Sequence, residues 1–414
     1  MTEQKYYNNL ECRPSSERSI DQFSKLAAQL THAKTNASYF TGLLKDIDPK
    51  AVLDAAALSA IPVTRKSDLV EGQKNLPPFG GMTAQSLGQI GRLFQSPGPI
   101  YDPEGRQTDY WRTGRAFYAA GFRAGDVVLN TLSYHMTPGG FIVESGARAL
   151  GCAVIPAGPG NTEQQLEIIR DLKPTGYCGT PSFLRILLEK ADAQDIDTSC
   201  FTKALMTGEA LPPSIRDWFE GRAIHVGQVY ATADLGAIAY ESNVNEGLIV
   251  DEGVLVEIVR PGSNDPVATG EVGEVVVTNL SSAAYPLIRF GTGDLSAVLE
   301  GESPCGRTNM RIKGWMGRAD QTTKIKGMFV HPGQVDQVVK AHKEIQKGRL
   351  VVSNDDNRDA MTLQCEVSAG NDGLVKEIAQ TVQTICKLRG GVEFVTPGSL
   401  VNDGKVIDDI RTYE

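Results

Sequence analysis

The chain lacks most of what would mark a membrane, secreted or nucleic-acid-binding protein. No apolar run approaches the roughly 20 residues a membrane helix needs. The first residues, MTEQKYYNNLECRPSSERSIDQF, carry charges and no apolar centre, so no secretory leader is expected. The 7 cysteines are an odd number, scattered from Cys12 to Cys386 without a CxxC pair, and predict neither a disulfide framework nor a zinc knuckle. Basic residues are outnumbered: 41 Lys and Arg against 50 Asp and Glu give a formal charge of −9, a poor match to a phosphate backbone. There is no internal repeat and no low-complexity tract. A cytoplasmic protein without nucleic-acid or membrane partners is expected.

What remains is a globular composition, 41% hydrophobic and 22% charged, on a length of 414 residues. That length exceeds one ordinary core and predicts two domains. Residues 1–90 read as helical segments and loops. In IPVTRKSDLVEG, Ser67 is a candidate cap for a helix opened by Asp68 and Leu69.

From about residue 126 strands and helices alternate. DVVLNTL, CAVIPAG, GYCGT and KALMTG are short strands. Between them lie helices over 137–151, over 161–174 (capped by Asn161 or Thr162) and from Pro181. The succession predicts a parallel sheet with helices on its faces, so ligands belong at loops leaving the carboxyl ends of its strands. GVLVEIV, GEVGEVVVTN and GDLSAVLE, separated by Gly, Pro and Asp turns, predict an antiparallel β subdomain. After 320 comes a small α+β module: helix 332–343, strands 350–353 and 361–368, helix 373–388, strand 391–396. The expected fold class is α/β, with a large N-terminal domain over 1–319 and a small mobile C-terminal lid over 320–414.

Five short strings bear chemistry. Gly208-Glu209-Ala210 follows a strand, where glycine allows close approach to a flat ring; an ordinary βα turn would read the same. Tyr230-Ala231-Thr232-Ala233-Asp234 gathers a ring, a hydroxyl and a carboxylate suited to nucleotide and Mg²⁺, and equally to a capped helix start. Arg289-Phe290-Gly291-Thr292-Gly293-Asp294 offers a carboxylate that can accept two ribose hydroxyls, or a β-turn with a surface Asp. Gly317-Arg318-Ala319-Asp320 stands where the pattern changes, as a hinge or a solvated linker. Gly404-Lys405 is a late lysine that matters only if the last module folds over a site.

Read together, these strings follow the motif order of adenylate-forming enzymes. The chain most resembles the phenylacetate–CoA ligase family. IPVTRKSDL with PPFGG, GNTEQQLEIIRDLKPT with GTPSFL, and PCGRTNMRIKGWMGRAD carry the likeness, which runs from about residue 14 to the end. The resemblance implies ATP, Mg²⁺ and CoA as cofactors and a small carboxylic acid, aryl or arylacetic, as substrate. Gly208, Glu209, Ala210 and Tyr230 would meet adenine, and Thr232 the phosphates. Asp234 would hold the metal, and Asp294 the ribose with Arg289 nearby. Lys405 would serve adenylation and Asp320 would be the hinge. Tyr134 and His135 would line the acyl pocket, although His135 on its own reads as structural.

The resemblance also locates differences. Where the family has a Ser/Thr/Gly-rich phosphate loop, this chain has Gln95-Ser96-Pro97-Gly98-Pro99-Ile100-Tyr101. Ser96 supplies the one hydroxyl before Tyr101, and two prolines remove two donors. Asp234 stands for a usual Glu, Ala233 for a usual Ser or Thr, and GKVIDDIR is a compressed final motif. A single Cys305-Gly306 stands where some relatives carry a Cys/His metal site. The expected activity is an AMP-forming acid–CoA ligase. An adenylate-forming enzyme with another acceptor, or a non-catalytic nucleotide-binding homologue, are the alternatives. A homodimer is left open.

Overall fold

Alternate residues of the parallel strands enter two different cores, and this makes the strands apolar throughout rather than amphipathic. In a computed structural model, described for residues 4–96, 100–260, 263–316, 319, 323–330, 332–355, 358–401 and 405–412, Val128, Cys178 and Leu205 pack on one face with Phe117, Phe122, Ile142 and Val143. Their neighbours Leu129, Tyr177, Ala204 and Met206 pack on the other with Leu166, Ile169, Leu184 and Leu188. A sheet covered by helices on both sides demands that pattern.

The chain divides into two compact units, 1–317 and 318–414. The first is built on a nine-stranded sheet. Ala153–Pro156, Val127–Asn130, Gly176–Gly179, Lys203–Met206 and His225–Thr232 form its parallel half, in that spatial order. Gly236–Glu241, Leu248–Val250, Arg311–Ile312 and Val298–Leu299 extend it antiparallel. The expected helices appear as Gly139–Ala149, Thr162–Leu172 and Pro181–Ala193. Gly146 admits the close crossing of two helices, since a Cβ there would stand 2.2 Å from Thr113 Oγ1.

The β subdomain is a second sheet in which Val254–Val259, Gly273–Asn279 and Phe290–Ser296 run antiparallel. Its edge is the two-residue strand Thr64–Arg65, parallel to Phe290–Ser296. GDLSAVLE is not one strand. It divides at Ala297, and Val298–Leu299 crosses to the large sheet. The N-terminal helix Ser15–Asn36 and Phe40, Leu58 and Ile61 cover the second sheet and complete a third core.

Ser67 does not cap a helix. Lys66–Asp68 is a 3₁₀ turn, the following helix Leu69–Asn75 has Asp68 at its N-cap without a side-chain bond, and the Ser67 hydroxyl donates to Asp68 Oδ1. Asn161 is an N-cap in left-handed conformation (φ 48°) and also makes no side-chain capping bond.

In the second unit a four-stranded sheet pairs Ile345–Asp355 with Arg358–Val367, flanked by the strands Gly391–Val395 and Ile407–Asp409. The helices Pro332–Ala341 and Asp372–Cys386 contribute Val335, Val338, Ile378 and Val382 to its own core. Among the described residues no helix is long and apolar enough to cross a membrane.

Candidate nucleotide site

The loops after Val127–Asn130, Gly176–Gly179, Lys203–Met206 and His225–Thr232 all leave the carboxyl edge of the parallel half-sheet, because the four strands share one direction. The strings 208–210 and 230–234 lie there, and Asp294 meets the second of them. Gly208 adopts φ 81°, a left-handed turn that favours glycine. The turn exposes Glu209, whose Oε2 accepts from the Ser182 amide at 3.3 Å and so joins two neighbouring loops. Ala210 follows half-buried.

Tyr230 and Asp294 come from different sheets. The Tyr230 hydroxyl donates to Asp294 Oδ2 at 2.8 Å and lies 3.3 Å from Thr292 Oγ1. Asp294 reaches this position through a bulge. Gly291 pairs with Val276 and Leu295 with Glu274, so Thr292, Gly293 and Asp294 together face only Val275. Bulges of this kind re-aim side chains. Thr292 Oγ1 closes the bulge by donating to Val275 O at 3.0 Å and accepting from the Asp294 amide at 3.1 Å. Trp315 Nε1 donates to Asp294 Oδ1 at 3.1 Å. The carboxylate is 7% exposed and oriented by these two donors.

Thr232 and Asp234 lie in a tight turn between His225–Thr232 and Gly236–Glu241 rather than at a helix start. Thr232 Oγ1 accepts from the Leu235 amide at 3.2 Å. The turn directs the Asp234 side chain inward, where it is wholly buried against Lys66 Nζ at 2.5 Å. Asp234 Oδ1 has no hydrogen-bond partner among the described residues.

Two residues here were not anticipated from sequence. Lys66 is one, carried to Asp234 by the pairing of Thr64–Arg65 with Phe290–Ser296. Asp102 is the other. It stands on Ile100–Glu104, the return arm of a hairpin with Arg92–Ser96, and is 0% exposed. Burial, then the neighbouring Asp234 carboxylate, push its carboxyl up to about 8 against the opposing pull of Lys66. The only signal available was alternation: Ile100, Asp102 and Glu104 share the inward face of a strand that begins where a phosphate loop was expected. The hairpin is locked by Gln73, which donates to Tyr101 O at 2.9 Å and accepts from the Tyr101 amide at 2.8 Å.

Ser96, expected at the phosphates, is buried and donates to Ile100 O at 3.3 Å, closing the hairpin. Pro97, Gly98 and Pro99 lie outside the described residues, as do Gly317, Arg318, the hinge candidate Asp320, and Gly404.

Arg289 departs from its expected place beside the nucleotide. Its side chain is 0% exposed and its donors are spent elsewhere: Nε and Nη2 on Glu257 at 2.9 and 3.0 Å, Nη2 also on Asn264 O, Nη1 on the carbonyls of Ser59 and Ile61. The backbone explains this, since φ of 42° at Arg289 turns the side chain away from the one five residues on. It clamps the N-terminal segment to the second sheet.

Tyr134 and His135 follow the strand Val127–Asn130. Tyr134 accepts from Asn130 Nδ2 at 2.7 Å and meets Phe141 edge-on, with ring centroids 4.9 Å apart. Tyr134 is half-buried and His135 exposed. Cys305 is buried; burial raises its thiol, but hydrogen bonds from Ser303, Arg307 and Ser242 bring it below the ordinary value. Among the described residues no group of three or more His, Cys, Asp or Glu side chains gathers to hold a metal. Lys405, in the second unit, is exposed and pairs with Asp408 at 2.9 Å.

The residues present fit a divalent cation with a nucleotide. Hard cations take oxygen ligands, commonly one or two protein carboxylates completed by phosphate oxygens. Asp234 Oδ1 and both oxygens of Asp102 are buried acceptors without partners among the described residues.

Known proteins resemble this chain along most of its length. Residues 107–283 match the family model of the AMP-binding enzymes, and residues 327–409 that of the AMP-binding enzyme C-terminal domain. Phenylacetate-coenzyme A ligase of Thermus thermophilus is 29% identical over 396 residues, covering 91% of this chain and 87% of that protein. The ligase of the same name from Aromatoleum evansii is 27% identical over 426 residues, covering 95% and 94%. Among solved structures, 2-hydroxyisobutyryl-CoA ligase with its acyl-AMP and CoA superposes with a TM-score of 0.85 at 24% identity, covering 100% of this chain and 94% of that one.

Proposed function

This chain belongs to the AMP-binding enzymes, and from that premise we propose that it is an AMP-forming acid–CoA ligase. The observation that carries the reading is the meeting of Tyr230, Thr292 and Asp294, from two sheets, at the carboxyl edge of the parallel strands. It makes an oriented, nearly buried carboxylate of the kind that binds ribose hydroxyls, beside a second carboxylate, Asp234, paired with a lysine.

The reaction has two steps. A carboxylate oxygen of the acid attacks the α-phosphorus of ATP and the bond to pyrophosphate breaks, leaving an acyl-adenylate. The CoA sulfur then attacks the acyl carbon, the bond to AMP breaks, and the thiol proton is lost to solvent. A divalent cation held at Asp234 neutralises charge on the phosphate oxygens when bound. Asp294, oriented by Tyr230 and Trp315, fixes the ribose. Glu209 and Tyr230 border the adenine, with Gly208 and Ala210 giving backbone access. Thr232 faces the phosphates. Lys66 brings an ammonium to the same place, where fixed charge stabilises the transition state most. Lys405 serves the adenylation step alone.

The acid is an aryl or arylacetic acid, with Tyr134 and the neighbouring Phe141 as aromatic walls and His135 at the rim. The relatives named phenylacetate-coenzyme A ligase support that choice. A panel of carboxylates, including phenylacetate, benzoate and 2-hydroxyisobutyrate, scored by pyrophosphate release with and without CoA, tests both parts. Release that needs an arylacetic acid, with thioester formed on adding CoA, is expected. Adenylate formation without thioester would give the acyl group another acceptor. No release with any acid would leave a nucleotide-binding protein.

A further inference from the structure

Asp102 has no structural reason to be a carboxylate. It is 0% exposed, and neither oxygen has a hydrogen-bond partner among the described residues. The Ser96 hydroxyl donates to Ile100 O at 3.3 Å. An unpaired buried polar group costs several kcal/mol as a rule. The hairpin needs nothing polar there, because its register is set by the Gln73 clamp on Tyr101 and by Arg92 against Glu104 at 2.9 Å. Asp102 also abuts a second buried acid, Asp234, whose Oδ1 is likewise without a partner. The ammonium of Lys66 pairs with Asp234 Oδ2. Two inward acids face one ammonium, and three of their oxygens have no partner among the described residues.

Two buried carboxyl groups in contact share a proton, and a hard dication can take that proton's place. We propose that Asp102 and Asp234 jointly hold the divalent cation that accompanies the nucleotide, so that the hairpin contributes a metal ligand. The ligand class is a small hard dication such as Mg²⁺ or Mn²⁺, which accepts carboxylate and phosphate oxygens together. The proposal rests on the nucleotide reading above and adds to it the ligand from the hairpin.

The test uses the full chain, Mn²⁺ as probe and α,β-methylene-ATP as a nucleotide that cannot be adenylated. Free Mn²⁺ is read by electron paramagnetic resonance, and AMP affinity without metal by calorimetry. Asp102→Asn keeps the size of the side chain and removes its charge. It is expected to weaken Mn²⁺ binding in the presence of the analogue at least tenfold, leaving metal-free AMP affinity within twofold. Asp102→Ser, a smaller side chain, should do the same and serves if the first variant does not fold. Mn²⁺ affinity within twofold of the unmodified chain in a folded variant that still binds AMP would overturn the proposal. Failure of the unmodified chain to bind AMP at all would instead overturn the nucleotide reading beneath it.

Discussion

The Tyr230 hydroxyl reaches Asp294 Oδ2 across 2.8 Å, and this bond ties the last parallel strand of the large sheet to a bulge in the smaller one. The two residues are 64 positions apart. With the Trp315 bond to Oδ1, it orients the carboxylate at the point where two sheets supply one site.

Asp294→Ala is expected to weaken AMP binding more than tenfold, since it removes the acceptor of the ribose hydroxyls. Tyr230→Phe keeps the ring and loses only the orienting bond. One hydrogen bond to a charged group is worth about 1.5–3 kcal/mol, roughly 10- to 150-fold, and AMP binding feels only the part that orients Asp294, so a smaller loss than in Asp294→Ala is expected. Calorimetry with AMP checks both, and equal affinity in all three proteins would remove Asp294 from the site.

Arg289 makes the opposite prediction. Removing a buried guanidinium leaves Glu257 without its partner and uncovers the carbonyls of Ser59, Ile61 and Asn264. Breaking such a pair costs about 3–5 kcal/mol. Arg289→Ala should lower the thermal midpoint by several degrees while the folded fraction binds AMP normally. A large loss of AMP affinity at unchanged stability would return Arg289 to the nucleotide.

Much of this was legible because chain order and alternation carry it. The parallel strands were readable as apolar runs between capped or glycine-ended helices, and Asp294 from the two glycines that make room for a bulge. Arg289 was misread because a string of six residues looks like one functional unit, whereas a single left-handed residue sends its first and last side chains to different places. Lys66 and Asp102 were missed for another reason. They meet Asp234 only through pairing with distant segments, the 290–296 strand and the Gln73 clamp. No local spacing records such a meeting.

Asp109 should give the fold a pH dependence on its acid side. Burial chiefly raises its carboxyl to about 6, against the amides of Gly114 and Thr113, which pull it down. The folded state therefore keeps a proton that the unfolded chain has lost over pH 4 to 6. Stability from this group is present below its ordinary pKa and falls as pH rises through that window. Asp109→Asn removes the titration. Its stability relative to the unmodified chain should rise between pH 4 and 7 by on the order of 2 kcal/mol. Urea midpoints at the two pH values measure this, and parallel curves would count against it.

Lys405 allows the sharpest division between steps. It is exposed and pairs with Asp408, and an exposed ion pair contributes little to the fold. A lysine that meets the substrate carboxylate and the α-phosphate as charge shifts between them acts in the transition state of adenylation, not in the ground state. Its removal should lower that rate with little change in ATP affinity. Removing one such donor typically costs 10²- to 10³-fold, about 2.7–4 kcal/mol. The second step does not use it, because the α-phosphate is by then a leaving group already bonded to the acyl carbon's oxygen. Lys405→Ala is therefore assayed twice, from acid and ATP, and from synthetic acyl-adenylate with CoA. A loss of 10²-fold or more in the first assay and a near-normal rate in the second is expected. Equal losses in both would make Lys405 a structural residue of its unit. No loss in either would leave it a solvated side chain near the end of the chain.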